Sequence, residues 1–294
     1  MTTAMTRTVD DVHVGSMLRG WRKLRGVTQL ELALRADSSA RHISFIETGR
    51  STPSRSMVLH LAEQLGVPVR DRNSLLMAAG WAPSYPETSL TAPAMTTLRA
   101  GLDQLLTAYE PFPALVMDGM YDVVTANKGV QMLLEGVADH LLQPPMNAMR
   151  LTLHPQGLAP RIRNLGQWRA HLLERMDRQA TLRSSDALRG LYEEVASYPA
   201  PADAAHPGPD GRTDEPGSAA HPYALPLRIE AGGQVLSFIS TATTFNTPMD
   251  VTVSELAIET FLPADPETAA VLRAAAREGG VTPPAGGPGN PRRL

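Results

Sequence analysis

Thr28–Gly49, TQLELALRADSSARHISFIETG, decides how the first part of the chain folds. Thr28 stands three residues before Glu31. Its hydroxyl can accept from the Glu31 amide while the Glu31 carboxylate accepts from the Thr28 amide, the reciprocal pattern of a capping box. A helix is therefore expected from Gln29 to about Ala36. Asp37-Ser38 supplies a short polar turn, and Ser39 can cap a second helix running through Thr48. Ile43 and Ile46 share that helix's buried face, and Gly49 ends it.

Similar punctuation brackets the stretch on both sides. Val14–Arg25 carries Met17, Leu18, Trp21 and Leu24 at helical spacing, and Gly26 stops it. Pro53-Ser54 opens a further helix with Val58, Leu61, Ala62 and Leu65 on one side, closed by Gly66. A fifth helix is expected from Val69 to Ala79. The expectation is a five-helix domain over 14–83, preceded by a flexible N-terminus (1–13) and followed by a linker (84–97) that Pro83 and Pro86 introduce.

Charge separates this segment from the rest. Residues 14–80 hold ten basic side chains against five acidic ones, a local +5; the whole chain is −3, which leaves −8 elsewhere. A basic module joined to an acidic one suits a chain of which one half meets phosphates. The 294 residues exceed one ordinary domain, and with 43% hydrophobic and 19% charged residues the composition is globular. No apolar run approaches the ~20 residues of a membrane span. The N-terminus has no signal-peptide pattern and cysteine is absent, so a cytoplasmic location is expected.

After a helical stretch around Thr96–Tyr109 the period changes. Ala114–Met117 and Tyr121–Val124 alternate as strands around Asp118-Gly119, a hairpin signal. Helices are expected at 127–136, 160–179 and 185–197, and strands at 224–230, 235–245 and 254–261. The pattern predicts an α+β domain over 98–278, an antiparallel sheet with helices packed on it. Within it, 199–222 is too rich in Pro, Gly and Asp to build a core and is expected to be a mobile loop; the tail 279–294 has the same composition.

The spacing Thr28-Gln29, Ser39, Ile43, Ile46, Glu47 and Gly49 resembles the phage-repressor type of helix-turn-helix, the xenobiotic-response-element family. The resemblance implies that the helix opened by Ser39 lies in the major groove of duplex DNA, with Ala40, Arg41, Ser44 and Phe45 facing base edges. Arg41 can fork onto guanine; Ala40 or Phe45 can meet a thymine methyl. It further implies that Gln29 grips a phosphate, that Arg50 contacts the backbone, and that Arg22 and Glu47 form a structural ion pair. Arg50 also fits a solvated loop charge, and His42 fits either packing or a phosphate contact. One recognition helix covers a half-site, so a homodimer on an inverted-repeat operator is expected.

The stretch Arg72–Pro83, then Pro113–Asp118, Asn127, Leu153-His154-Pro155, Asn164-Leu165, Trp168-Arg169, Phe245–Pro248 and Phe261–Asp265, resembles MmyB-like regulators. The resemblance implies a PAS-like second domain that senses a small apolar effector, with fatty-acyl compounds among the candidates. Met117, Tyr121, Leu133, Trp168, Phe238 and Phe245 are candidates to line its pocket, with Arg161 or Arg163 to meet an acid group. All of these also serve as plain core. A DNA-binding adaptor, whose second domain holds a protein partner, is the alternative. The common nucleophile-elbow, phosphate-loop, dinucleotide and zinc-protease motifs are absent, so neither catalysis, a cofactor nor a metal site is expected.

Overall fold

The computed structural model describes residues 13–183, 185–199 and 224–278. The segments expected above as flexible N-terminus, mobile loop and tail lie, apart from His13 and Pro199, outside the described residues. The chain divides into two compact units: Met1–Ala100 with Leu173–Glu194 and Thr244–Ala257, and Gly101–Leu172 with Val195–Thr243 and Ile258–Leu294.

The first unit opens with α1 (Val14–Leu24), α2 (Gln29–Arg35), α3 (Ala40–Glu47), α4 (Arg55–Gln64) and α5 (Val69–Ala78). The local chemistry that starts them is present. Thr28 and Glu31 complete the capping box, the Ser39 hydroxyl accepts from the His42 amide, and Ser54 accepts from that of Met57. Leu18, Leu32, Ile43, Ile46, Leu61 and Leu75 converge at 1% exposure or less, each contributing about 1.5–3 kcal/mol of burial. The helices α1 and α3 meet at Gly15, where a Cβ would stand 2.0 Å from the Ile46 carbonyl oxygen. Only glycine allows that approach.

The chain continues with α6 (Thr96–Tyr109), β1 (Ala114–Met117), β2 (Val123–Ala126), α7 (Gln131–Leu134), α8 (Asp139–Leu142), α9 (Ala148–Leu153), α10 (Leu165–Arg183) and α11 (Asp186–Ala196). Then come β3 (Leu227–Ala231), β4 (Gln234–Thr244), α12 (Val251–Glu255), β5 (Ala257–Pro263) and α13 (Pro266–Glu278). The strands form one antiparallel sheet in the order β2-β1-β5-β4-β3, so the last strand in sequence lies at its centre. An α+β architecture of the expected PAS-like kind results, with Leu227, Ile229, Leu236 and Phe238 buried on the sheet.

Several expected bounds move. The helix anticipated over 127–136 is a 3-10 turn at Lys128–Val130 followed by the single turn of α7. Tyr121 is not in a strand: its φ is +63° in the turn that begins at Asp118, whose Oδ1 accepts from the Met120 and Asp122 amides at 2.8 and 2.9 Å. The strand anticipated over 254–261 starts at Ala257, because Asp250 accepts from the Val253 amide and caps α12 immediately before it. No described helix is long and apolar enough to cross a membrane.

Within the first unit α12 lies against α5. The Arg70 guanidinium forks onto Glu255 at 2.7 and 2.9 Å and reaches Glu87 at 2.7 Å. The connecting segment is pinned alongside. Asn73 takes the Ser84 and Tyr85 amides on its oxygen and donates to the Tyr85 carbonyl; the Val251 amide donates to Pro86 O, and the Thr88 amide to Asp250.

Candidate DNA interface and ligand cavity

At the end of α3, Glu47 organises the helix-turn-helix. Arg22 of α1 donates to it twice, Nε to Oε1 at 2.5 Å and Nη2 to Oε2 at 2.9 Å, and spends Nη1 on the Val27 carbonyl at 2.8 Å. Gln29, the first residue of α2, donates its amide to Oε2 at 2.8 Å. Three helices are thus tied to one carboxylate. Burial alone would raise the Glu47 pKa, but the hydrogen bonds from Arg22 and Gln29 and the charges of Arg22 and Arg19 outweigh it and hold it below the usual value. The bond to Glu47 raises the Arg22 pKa in turn.

The outward face of α3 carries exposed Arg41 and half-buried Ser44 and Phe45, with half-buried Ala40 in its first turn. The Arg41 and Arg50 guanidiniums lie 5.2 and 6.0 Å from the centre of the Phe45 ring, so both cations flank one aromatic. Gln29 was expected at a phosphate. Here one amide hydrogen is held by Glu47, and an amide carries two.

In the second unit a cavity of about 60 Å³ opens between the sheet and α7, α9 and the start of α10. That is several times the ~10–15 Å³ a single water needs. Its wall is mostly aliphatic and aromatic, with Leu115, Leu133, Met149, Leu151, Trp168 and Phe261 prominent. Of the side chains anticipated for it, Leu133 and Trp168 are on the wall. Met117 and Phe238 are buried elsewhere in the core, Tyr121 is in the Asp118 turn, and Phe245 belongs to the first unit.

The two arginines expected to meet an acid group do not reach the cavity, and the geometry explains why. Arg161 donates Nη2 to the Leu133 carbonyl and Nη1 to that of Glu230 at 3.5 Å, and burial lowers its pKa against the charge of Glu135. Arg163 pairs with the Glu230 carboxylate at the surface. Sequence reasoning missed Glu259, a wall residue 6% exposed that accepts from the Ser240 hydroxyl at 2.6 Å. Its signal was the strand period, which puts Glu259 on the same face as Phe261. Among the described residues no group of three or more His, Asp or Glu could hold a metal ion.

A helix-turn-helix unit and a PAS-like unit with a lined cavity define a class, the DNA-binding transcription regulators with a ligand-binding domain, and the comparisons agree. Residues 18–71 match the helix-turn-helix model, and residues 98–275, more than half of the chain, match the MmyB-like transcription regulator ligand binding domain. The chain belongs to that MmyB-like family. No curated protein matches it. Among solved structures, an RNA-binding light-oxygen-voltage receptor aligns at 13% identity and a TM-score of 0.27, over 92% of this chain and 63% of that one.

Proposed function

We propose that the chain binds an inverted-repeat DNA operator as a homodimer and that a small apolar effector, held in the cavity of the second unit, controls that binding. The observation that carries this reading is the cavity wall, whose aliphatic and aromatic side chains suit an apolar body. On the DNA side, Arg41 is the reader of a guanine, with Ala40, Ser44 and Phe45 beside it. Thr28, Gln29, Ser39 and Arg50 serve the phosphates and the helix ends that face them. A cytoplasmic location, with access to the chromosome, belongs to this reading.

The test uses an operator selected from a random duplex library. Its affinity for the full chain falls with salt at a log–log slope of about −0.9 per neutralised phosphate. Arg41→Ala costs ~1–3 kcal/mol on the operator and less on random duplex. A flat salt response overturns the DNA reading, and equal losses on both duplexes demote Arg41 to a backbone contact. A sedimentation mass of one chain per operator overturns the dimer.

A further inference from the structure

We propose that Phe45 is a positioning residue of the DNA interface: its ring holds the Arg41 and Arg50 guanidiniums in place for the duplex, and its contribution to DNA binding passes through them. This rests on the reading of α3 as the recognition helix. Two separate features of the chain bring the three residues together. Arg41 stands four residues before Phe45 in α3, so the two side chains share one face of the helix. Arg50 arrives by the turn that ends α3. Gly49, in the left-handed region at φ +72°, turns the chain back; its amide donates to the Ile46 carbonyl at 3.1 Å, and the Arg50 amide donates to the Phe45 carbonyl at 2.8 Å. These are the two bonds of a Schellman motif, in which the residue after the turn commonly packs on the helix residue whose carbonyl it caps. Here the first is a cation and the second an aromatic ring.

The arrangement leaves both cations able to donate. Arg22, Arg25, Arg55, Arg70 and Arg72 of the same bundle all donate to protein oxygens. Arg41 and Arg50 are exposed, and among the described residues no oxygen takes a hydrogen bond from either guanidinium. A guanidinium against an aromatic ring keeps its N–H groups, which lie in its own plane, available to a guanine edge or a phosphate. An unsupported arginine is ordered only on binding, at a loss of about 2–10-fold in affinity for each side chain so fixed. Two like charges beside one ring also repel each other, and an approaching phosphate backbone relieves that repulsion.

The experiment is a set of double-mutant cycles on the full chain, read as affinity for the selected operator at low salt. Phe45→Leu keeps an apolar side chain and removes the ring; it weakens operator binding by about ten-fold, roughly three-fold through each arginine. In an Arg41→Ala or an Arg50→Ala background the same substitution costs only about three-fold, because one arginine is left to lose. Phe45→Tyr keeps the ring and binds within about two-fold of wild type. A side chain that itself met a thymine methyl would lose as much in every background. Phe45 is half-buried, so circular dichroism checks each fold, and Phe45→Met takes the place of Phe45→Leu should that variant unfold. An undiminished loss in both arginine backgrounds, no loss in Phe45→Leu, or failure of a folded Phe45→Tyr to bind overturns the positioning role and leaves the DNA reading standing. A wild-type chain that binds no duplex, or binds without salt dependence, overturns both.

Discussion

Glu47 shows how much a single residue carries in the helix-turn-helix. Its side chain is 2% exposed and that of Arg22 is 12%, so deleting either leaves the other charge with little water. Glu47→Ala should cost about 3–5 kcal/mol at neutral pH, measured by urea unfolding. Because the folded-state pKa of Glu47 is depressed, its contribution is fully present above the unfolded-state value, ~4.3. It is lost as pH falls through the lower folded value. The stability gap between wild type and Glu47→Ala should therefore be widest at neutral pH and close in acid; a gap independent of pH removes the ion pair from the account. This pair was legible in the chain because Arg22 and Glu47 sit at matched places in a recognisable motif. Glu259 was not, since a carboxylate in a strand points outward or inward according to which face the neighbouring strands cover. Arg161 was legible as a cation but not as one claimed by two backbone carbonyls, a matter of tertiary placement.

At the scale of elements, the junction of α1 and α3 depends on the missing side chain of Gly15. In an ordinary helix Gly→Ala stabilises by ~0.5–1 kcal/mol. Gly20, in the same helix, has nothing within 4 Å of the position a Cβ would take, so Gly20→Ala should follow that rule. Gly15→Ala should do the reverse and destabilise by about 1–3 kcal/mol, because the obstruction is the Ile46 backbone and cannot rotate away. Thermal melts of the two variants should move in opposite directions; a shared direction would mean that α1 and α3 separate freely. Elements with strong end signals were legible: Thr28, Ser39 and Ser54 each open a helix, and several turns of apolar spacing follow. The elements α8, α9 and α12, of four, six and five residues, are too short for a 3.6-residue period to register. At α12 the strand-like Val251-Thr252-Val253 is overridden by the Asp250 cap.

For the whole molecule the question is whether an occupied cavity alters DNA affinity, since a ligand that binds the competent and incompetent forms equally shifts nothing. The covalent route is short. Glu259 and Phe261 of the cavity wall lie on β5, and Leu256 alone separates that strand from α12, which Arg70 ties to the last helix of the DNA-binding bundle. The ion pair itself is partly exposed, at 47% for Arg70 and 25% for Glu255, so its direct worth to stability is below ~1 kcal/mol. Its expected role is transmission: a ligand that changes the setting of β5 also changes the bias on α12 and hence on α5. With a saturating small apolar amphiphile, octanol as the probe, the wild-type chain should change operator affinity by about 5–150-fold, a coupling of ~1–3 kcal/mol. Glu255→Gln should shrink that ratio toward one while leaving the calorimetric affinity for the amphiphile and the ligand-free affinity for the operator nearly unchanged. An undiminished ratio in Glu255→Gln would place the coupling elsewhere. Identical affinities with and without ligand in wild type would mean that the second unit binds without switching, and would favour an adaptor whose regulatory input is a protein partner.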